Sequence, residues 1–534
     1  MFGVGVGPGD PELLTLKAAQ AIAAADVIAY PSARHGNSVA RRIAAPHVRA
    51  EQVEVLLQFP VTTELTTHPG GYDAALAEFY DAASEELAAH LDAGRDVAIL
   101  CEGDPLFYGS YMYFHERLAP RFETTVVPGV TAFSAAAAAA GTPLVKRDDV
   151  FVALPGTLPA DVLAERLRSA DAAVVMKLGR TFPKVREAAQ AAGVVERGVY
   201  VERASSAEER LAPLAEVDGD VPYMSLVLVP TAAAGARDDA EVPAATGRDA
   251  DGSAASAGAR GRGMAVSAGA AGGEPDDAGP QRGSLAVVGL GPAGPQWLTP
   301  EAAAELAAVE ELVGYGPYLD RVPVRAGQRR HASDNRVEAE RARHALELAA
   351  GGARVAVVSS GDPGIFAMAS AVLEALDADA ADGARLAGAV DVRIVPGLSA
   401  MQAAAARAGA PLGHDFCVLS LSDQLKGWDV IERRLDAAGA ADLALALYNP
   451  ASRTRREQLE RARAVLLRHR APETPVVVAR AVGAPEESVT VTTLSQLDPA
   501  VVDMRTLLLV GSSTTRVVNG SGPARVYTPR RYPA

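Results

Sequence analysis

The chain has 534 residues, 49% of them hydrophobic and 22% charged, which excludes a wholly disordered polypeptide and favours two or more domains. Its formal net charge of −15 argues against a nucleic-acid partner, because general polyanion binders are usually basic. The two cysteines, Cys101 and Cys417, lie far apart without a CxxC spacing. We therefore expect no disulfide framework, no structural zinc site, no cysteine-ligated cluster and no metal requirement.

The apolar stretches fall short of the roughly 18 residues that a membrane-spanning helix needs. Met1-Phe2-Gly3-Val4 leads directly into a glycine motif, without the charged and apolar regions of a signal peptide. We therefore expect a cytoplasmic protein without a membrane partner.

Short apolar runs alternate with amphipathic segments along the first 230 residues. The pattern predicts buried strands at Phe2–Val6, Asp96–Cys101, Glu123–Val127, Ala172–Lys177, Val199–Glu202 and Tyr223–Val229. It predicts helices at Leu14–Ala25, Asp73–Ala93 and Thr131–Ala140. Strands that alternate with helices indicate an α/β architecture with substantially parallel sheets.

Residues 231–283 differ in composition from the rest of the chain, with 17 alanines, 11 glycines and no aromatic residue. Such a segment buries too little apolar surface to offset the entropy lost on ordering. It therefore predicts a flexible tether between a first block, 1–230, and a second block, 284–534. A docking segment that folds on a partner is the alternative. Net charge is −11 in the first block, −3 in the tether and −1 in the second block.

The second block repeats the first. Its predicted strands are Ser284–Gly289, Arg354–Ser359, Asp391–Val395, Leu443–Tyr448, Pro475–Arg480 and Thr506–Val510. Three motifs recur in the same order, pairing Gly5–Thr15 with Gly289–Thr299, Gly103–Pro105 with Gly361–Pro363, and Val127–Ala132 with Val395–Ala400. We predict two copies of one domain. Each motif follows a predicted strand, which is where ligands bind in such sheets.

The glycine motifs taken singly have ordinary structural interpretations. Gly289-x-Gly291-x-x-Gly294 satisfies the dinucleotide fingerprint literally, but the sequence predicts that the next helix begins only at Pro300, and the first copy fails the spacing. A nicotinamide or flavin site is therefore disfavoured. Tight turns without a ligand are one alternative, and helix N-caps are another for Thr131 and Ser399.

The three motifs together resemble those of the tetrapyrrole (corrin/porphyrin) methyltransferase family, whose members use S-adenosylmethionine. The first block is similar to the branch that methylates C20 of precorrin-2, through Gly5–Lys17, Tyr30-Pro31 and Glu102–Tyr108. The second is similar to the branch that methylates C17 of precorrin-3B, through Gly314-Tyr315, Ser359–Gly364, His414–Phe416, Leu419–Asp423 and Leu447–Pro450. The resemblance covers both blocks and leaves out the tether.

The resemblance implies two α/β lobes in each block, with the S-adenosylmethionine cleft between them. It implies a bifunctional enzyme of cobalamin biosynthesis that forms precorrin-3A in the first block and precorrin-4, with ring contraction, in the second. The cofactor positions implied in the first block are Pro8, Glu102, Gly103, Asp104, Phe107, Thr131, Ala132, Met176 and Ala204. Those implied in the second are Pro292, Ser360, Gly361, Asp362, Ile365, Ser399, Ala400, Tyr448 and Ala481.

Substrate-binding and acid–base residues follow from the chemistry of such substrates. Precorrins carry many carboxylates, so cations are expected in the clefts, with candidates Arg34, Lys146, Arg147 and Lys177 in the first block and Arg330, Arg336 and Arg453 in the second. Surface solvation is the alternative for each. Ring contraction moves protons, which makes His414, Asp415 and Asp423 acid–base candidates. A hydrogen-bonded turn is the alternative for His414 and Asp415.

Other functions remain open at this point. The substrates could be the cobalt-containing precorrins, or one block could be a non-catalytic tetrapyrrole carrier. Ribosomal RNA, a translation-factor histidine derivative and a dehydrogenase function are less favoured alternatives. We expect either a homodimer of the whole chain or a pseudo-dimer formed by its two blocks.

Overall fold

The first lobe of each half is built on a five-stranded parallel sheet in this computed structural model. The structure describes residues 1–33, 38–61, 66, 68–146, 149–231, 283–334, 337–381, 386, 388–424, 426–452, 455–518 and 523–529. The predicted tether therefore lies outside the described residues, apart from Thr231 and Gly283 at its two ends.

The first half, residues 1–231, contains two lobes. The elements of its first lobe are β1 (Phe2–Gly5), α1 (Leu16–Ala24), β2 (Val27–Ser32), α2 (Val39–Ala44), β3 (Val53–Gln58), α3 (Gly71–Asp92), β4 (Val97–Cys101), α4 (Tyr111–Leu118), β5 (Thr125–Val127) and α5 (Ala132–Ala139). Those of its second lobe are β6 (Phe151–Pro155), α6 (Ala160–Ser169), β7 (Ala172–Met176), α7 (Phe182–Ala191), β8 (Val199–Glu202), β9 (Arg210–Pro213) and β10 (Ser225–Val229).

The second half, from residue 283 onward, repeats this order. Its first lobe contains β11 (Gly283–Gly289), α8 (Pro300–Ala308), β12 (Glu311–Tyr315), α9 (Gly316–Leu319), β13 (Arg329–Ser333), α10 (Glu338–Ala350), β14 (Arg354–Ser359), α11 (Met368–Ala381), β15 (Val390–Val395) and α12 (Ala400–Ala408). The remaining elements are β16 (Gly409–Ala410), β17 (Phe416–Ser420), α13 (Trp428–Ala440), β18 (Ala444–Tyr448), α14 (Glu457–Leu466), β19 (Pro475–Arg480), β20 (Ser488–Thr493), β21 (Thr506–Val510), β22 (Arg516–Val518) and β23 (Arg525–Tyr527).

The two first-lobe sheets have the same topology, with strand orders β3-β2-β4-β1-β5 and β13-β12-β14-β11-β15. All their strand pairs are parallel. The central strands are short continuous apolar runs, because helices cover both faces of the sheet. Thr15, Thr131 and Ser399 each cap the following helix with a side-chain oxygen. In the second half, α8 begins at Pro300 after the cap Thr299, as predicted.

The second lobes of the two halves share one sheet of ten strands, in the order β20-β19-β21-β18-β17-β6-β7-β10-β8-β9. The halves join where β17 pairs antiparallel with β6, with Phe416 opposite Ala153 and Val418 opposite Phe151. A small third sheet, β16-β23-β22, lies in the second half. Residues on both sides of the tether thus form a single compact unit.

Side chains also cross the junction between the halves. The Phe107 and Phe416 rings pack edge to face with centroids 5.1 Å apart. The Gln402 side-chain amide donates to the Gly129 carbonyl at 2.7 Å. Two ion pairs, Arg166 with Asp415 and Arg434 with Asp171, join α6 and α13 to the opposite half. Because these groups are largely buried, the contacts hold the halves in one fixed arrangement.

All the strands and helices predicted from the apolar pattern are confirmed, with ends shifted by a few residues. The α/β class and the two lobes in each half are confirmed as well. The expectation of substantially parallel sheets holds only for the first lobes, since β10 is antiparallel to both β7 and β8. No helix within the described ranges is long and apolar enough to cross a membrane.

Cutting the chain within residues 232–282 should leave the two halves together, because β6 and β17 would expose their hydrogen-bonding edges if the halves separated. We expect a protein with an engineered protease site in this segment to elute after cleavage as one particle in size-exclusion chromatography, at the position of the uncut chain. Elution of the two fragments at separate, smaller sizes would show that the shared sheet does not hold the halves together.

Candidate functional site

Three turns meet at the carboxyl edge of the first sheet, after β1, β4 and β5. Gly7 and Gly103 form an isolated bridge, in which the Gly103 amide donates to the Gly7 carbonyl at 2.8 Å. A Cβ on Gly129 would lie 2.2 Å from the Gly103 carbonyl oxygen, and one on Gly5 would lie 2.6 Å from the Gly129 nitrogen. The three turns can approach this closely only because glycine occupies these positions.

Asp104 fastens two of these turns to each other. One carboxylate oxygen accepts from the Leu106 amide at 2.9 Å, and the other accepts from the Gly129 amide at 3.1 Å. Burial raises the pKa of Asp104 to about 7, and the two amide donors oppose that shift. The resemblance implies that this residue contacts the cofactor. In the structure its carboxylate holds the turns after β4 and β5 together.

The second half builds the same arrangement. Gly291 and Gly361 form the corresponding bridge, and a Cβ on Gly397 would lie 2.5 Å from the Gly361 carbonyl oxygen. Asp362 accepts from the Gly364 amide at 2.8 Å and from the Gly397 amide at 3.2 Å. Burial raises its pKa to about 6. The repeated motifs of the sequence are thus two copies of one three-turn structure.

A cavity of about 990 Å³ opens beside the turns of the first half, between its two lobes. All nine cofactor positions implied for this half line it: Pro8, Glu102, Gly103, Asp104, Phe107, Thr131, Ala132, Met176 and Ala204. The last two come from the second lobe, where Met176 ends β7 and Ala204 follows β8. The structure therefore brings these residues, distant in sequence, to one concave surface of the size that small-molecule sites occupy.

Glu102 follows β4 and faces this cavity. Burial raises the pKa of its carboxyl group to about 7, while the charge of Arg42 opposes that shift. The structure shows no hydrogen bond or ion pair to its carboxylate from any of the residues that it describes. A carboxyl group with this pKa, in a cavity wall, can accept a proton near neutral pH.

Basic side chains also line the first cavity. Lys177 was predicted to bind substrate, and its Nζ lies 4.8 Å from the centroid of the Tyr108 ring. Arg180 and Arg203 lie in the same wall. Lys146 does not line this cavity, since its neighbour Val145 pairs with Ile365 of the second half. Two other predicted cations, Arg34 and Arg147, lie outside the described residues.

His414 and Asp415, expected to serve the second half, lie in the wall of the first half's cavity. They precede β17, whose amino end lies beside the carboxyl end of β6 because the two strands are antiparallel. Asp423 follows β17 and is separated from them by the strand, about 17 Å at the usual rise. His414 and Asp415 therefore lie apart from Asp423, and the acid–base role of the three residues stays a prediction.

The implied cofactor positions of the second half lie around its three turns and the ends of β18 and β19. The Tyr448 hydroxyl accepts from the Met401 amide at 3.2 Å, and its ring packs on Phe366 with centroids 5.3 Å apart. Ala481 has a positive φ of 52°. The remaining positions, from the three turns, are Pro292, Ser360, Gly361, Asp362, Ile365, Ser399 and Ala400.

Arg321 occupies a central place in the second half that the sequence did not reveal. Its guanidinium donates to the Leu290 carbonyl at 3.0 Å, the Gly291 carbonyl at 2.6 Å and the Ser360 hydroxyl at 3.0 Å. Burial lowers its pKa to about 10. It thereby joins the first glycine turn to the turn after β14. No motif surrounds this residue, so nothing in the sequence distinguished it from other arginines.

Arg330, predicted to bind substrate, forms hydrogen bonds to the backbone of its own half. Its guanidinium donates to the backbone carbonyls of Leu319, Val322 and Pro323 at 2.9, 2.8 and 2.7 Å. It thus satisfies the end of α9 and the turn behind it, so three backbone carbonyls already take up donors of this guanidinium. The other two predicted cations of this half, Arg336 and Arg453, lie outside the described residues.

The described residues contain no cluster of three or more histidine, cysteine, aspartate or glutamate side chains suited to hold a metal ion. Cys101 and Cys417 are buried as free thiols. Burial raises the pKa of both thiols far above the ordinary value, so neither is a ready thiolate.

Comparison with known proteins gives a consistent result for the whole chain. The family described as tetrapyrrole (corrin/porphyrin) methylases matches residues 1–218 and 284–498. The cobalamin biosynthesis protein CobIJ of Mycobacterium tuberculosis is 52% identical over 100% of this chain and 96% of its own length.

Two shorter relatives from Sinorhizobium correspond to the separate halves. A precorrin-2 C(20)-methyltransferase is 50% identical to the N-terminal half, over 43% of this chain and 94% of the relative. A precorrin-3B C(17)-methyltransferase is 49% identical to the C-terminal half, over 47% of this chain and 97% of the relative.

Replacing Gly129 with alanine should disturb the three-turn structure, because the new Cβ would lie 2.2 Å from a backbone oxygen that cannot move alone. We expect a loss of about 3 kcal/mol or more in the free energy of unfolding, measured by denaturant titration. Gly94→Ala is the matched control. Its φ is positive but nothing lies within 4 Å of the added Cβ, so a loss of about 1 kcal/mol is expected. Equal losses in the two variants would contradict the close approach of the turns.

Proposed function

The chain belongs to the tetrapyrrole (corrin/porphyrin) methylase family, and we propose that it is a bifunctional methyltransferase of cobalamin biosynthesis. In this proposal residues 1–230 methylate C20 of precorrin-2 and residues 284–534 methylate C17 of precorrin-3B with ring contraction, with 231–283 as the tether. The observation that carries it is the single cavity onto which all nine implied positions of the first half converge.

S-adenosylmethionine is the methyl donor in this proposal, and the residues present fit it. When bound, it supplies a methyl group on a positively charged sulfur. The turns at Gly103 and Gly129 present backbone groups at the cavity without intervening side chains, and Glu102 adds a carboxylate. Phe107, Met176 and Ala204 supply apolar surface in the same cavity. No metal is part of the proposed reaction.

The substrate of each half is proposed to be a precorrin. Lys177, Arg180 and Arg203 place basic side chains in the wall of the first cavity although the chain as a whole is acidic, and such side chains suit a polycarboxylate. Cobalt-containing precorrins would present the same carboxylates. They are therefore the second candidate substrate, and the test below includes them.

Methylation at C20 releases a proton, because this bridging carbon carries one hydrogen. When C20 forms its bond to the methyl group and the sulfur–methyl bond breaks, the C20–H electron pair returns to the ring and the proton leaves. We assign the acceptance of this proton to the Glu102 carboxylate, which faces the cavity with a pKa raised to about 7. The second half has Ser360 in the corresponding position, bound by Arg321.

In the second half, Asp423 remains the proposed acid–base residue for ring contraction. It follows β17, and the neighbouring parallel strand β18 ends at Tyr448, so both residues lie at the same edge of the sheet. Gln458 donates to its carboxylate at 2.8 Å. The Gln458 amide thus fixes the orientation of the carboxylate at the sheet edge.

The purified full chain, incubated with precorrin-2 and S-adenosylmethionine, should add one methyl group, and incubated with precorrin-3B it should again add one. Mass spectrometry of the tetrapyrrole products measures both reactions, and the cobalt-containing substrates form a parallel series. Failure to methylate precorrin-2 and its cobalt form would refute the assignment of the first half. Tetrapyrrole binding without methyl transfer would instead identify that half as a carrier.

Glu102→Gln should slow the first methylation about a hundredfold, because the amide cannot accept the C20 proton. In the unchanged chain the first reaction should accelerate as pH rises through about 7, where the Glu102 carboxyl group ionises, and then level off. The variant should lose this pH dependence, and its affinity for S-adenosylhomocysteine, measured by calorimetry, separates loss of the proton acceptor from weaker binding of the methyl donor. Glu51→Gln, at an exposed side chain, is the control. A variant with unchanged rate and pH profile would exclude the role of Glu102.

A further inference from the structure

The segment Gly413–Asp415 is part of the second half in sequence, but in the structure it lines the cavity of the first half. The register places Phe416 opposite Ala153, so the residues before β17 continue past Leu154 and Pro155 at the end of β6. Pro155 itself lines the cavity. The antiparallel junction therefore directs this segment towards the ligand edge of the opposite half.

Buried contacts with the first half fix the segment in this place. Asp415 has 2% of its side chain exposed and forms an ion pair with Arg166 of α6. The Tyr108 hydroxyl lies 3.4 Å from an Asp415 carboxylate oxygen. A Cβ on Gly413 would lie 2.9 Å from the Thr528 carbonyl oxygen and 3.2 Å from the Met112 sulfur of α4, so Gly413 packs closely against both halves. These contacts hold the adjoining residue, His414, in the cavity wall with 13% of its side chain exposed.

The arrangement is reciprocal between the halves. The pair Pro143-Leu144 precedes Val145 and Lys146, as Pro411-Leu412 precedes Gly413 and His414. Val145 bridges to Ile365 in the second half, and its amide donates to the Gly364 carbonyl at 3.2 Å. In each half, the segment after the Pro-Leu pair contacts the other half. The contacted region is the turn that follows the Gly-Asp-Pro motif. The same crossing therefore occurs twice, once from each half to the other.

We propose that His414 of the second half is a substrate-positioning residue of the first half's methylation site, where it binds a carboxylate of the tetrapyrrole. This rests on the proposed function, and it goes further in making the first site incomplete without the second half. An imidazole in the wall that also carries Lys177, Arg180 and Arg203 extends a set of hydrogen-bond donors suited to a polycarboxylate. Asp415 acts through His414 by anchoring the segment.

The test measures both methylations separately in the full chain, with His414→Ala, His414→Gln and the surface control Arg433→Ala, whose side chain is 71% exposed. We expect His414→Ala to raise KM for the first substrate about tenfold, with kcat of that reaction and both constants of the second reaction changed less than about threefold. His414→Gln keeps a donor and should recover part of the loss. Affinity for S-adenosylhomocysteine should be unchanged in both variants.

Two results would overturn the inference. One is an unchanged KM for the first substrate in both His414 variants, and the other is an equal loss in the two methylations. A thermal unfolding profile for each variant identifies a folding defect. If His414→Ala is unstable, KM of His414→Gln for the first substrate is the deciding measurement. An unchanged chain that fails to methylate the first substrate would refute the proposed function instead, so the two failures are distinguishable.

Discussion

The antiparallel pairing of β6 with β17 determines most of what is particular to this molecule. It joins the second lobes of both halves into one ten-stranded sheet, with the repeated domains related as in a dimer whose subunits are fused. Because the strands run in opposite directions, the carboxyl end of each lies beside the amino end of the other. The ligand edge of one half therefore adjoins the segment through which the other half enters the sheet.

The three-turn structure is the second constraint, and it occurs twice. Glycine backbones approach within contact distance, and a buried aspartate accepts two amide hydrogens to fasten the turns. Each aspartate also has a polar neighbour from the opposite half, since Gln402 opposes the rise in the pKa of Asp104 and Ser134 opposes that of Asp362. The turn at Gly129 is also held by the opposite half, because the Gln402 side chain, in the N-terminal turn of α12, donates to the Gly129 carbonyl.

At the three turns the two halves differ in the side chains that a shared backbone arrangement presents. Glu102 in the first half is Ser360 in the second, and Arg321 bonds that serine and the first glycine turn. Replacing an ionisable group by a hydroxyl changes which half can take up a proton at this place, while the turns beneath are the same. One fold can therefore present an ionisable group in one half and a hydroxyl in the other, because the turns and these side chains belong to different residues.

The family and the nine positions that line the first cavity were implied by the resemblance of the motifs to a known family. The sequence by itself determined the local features: the strands and helices, the helix caps at Thr131 and Ser399, and the repeated motifs. These follow from short-range patterns, because apolar periodicity, glycine turns and caps depend on neighbouring residues. Only the tertiary structure decided how the halves meet, where Arg330 and Arg321 bond, and which cavity His414 and Asp415 line. The physical reason is that strand direction across the junction depends on pairing between distant segments. A sequence pattern records that a strand is buried, but not which strand covers its edge or which way that strand runs.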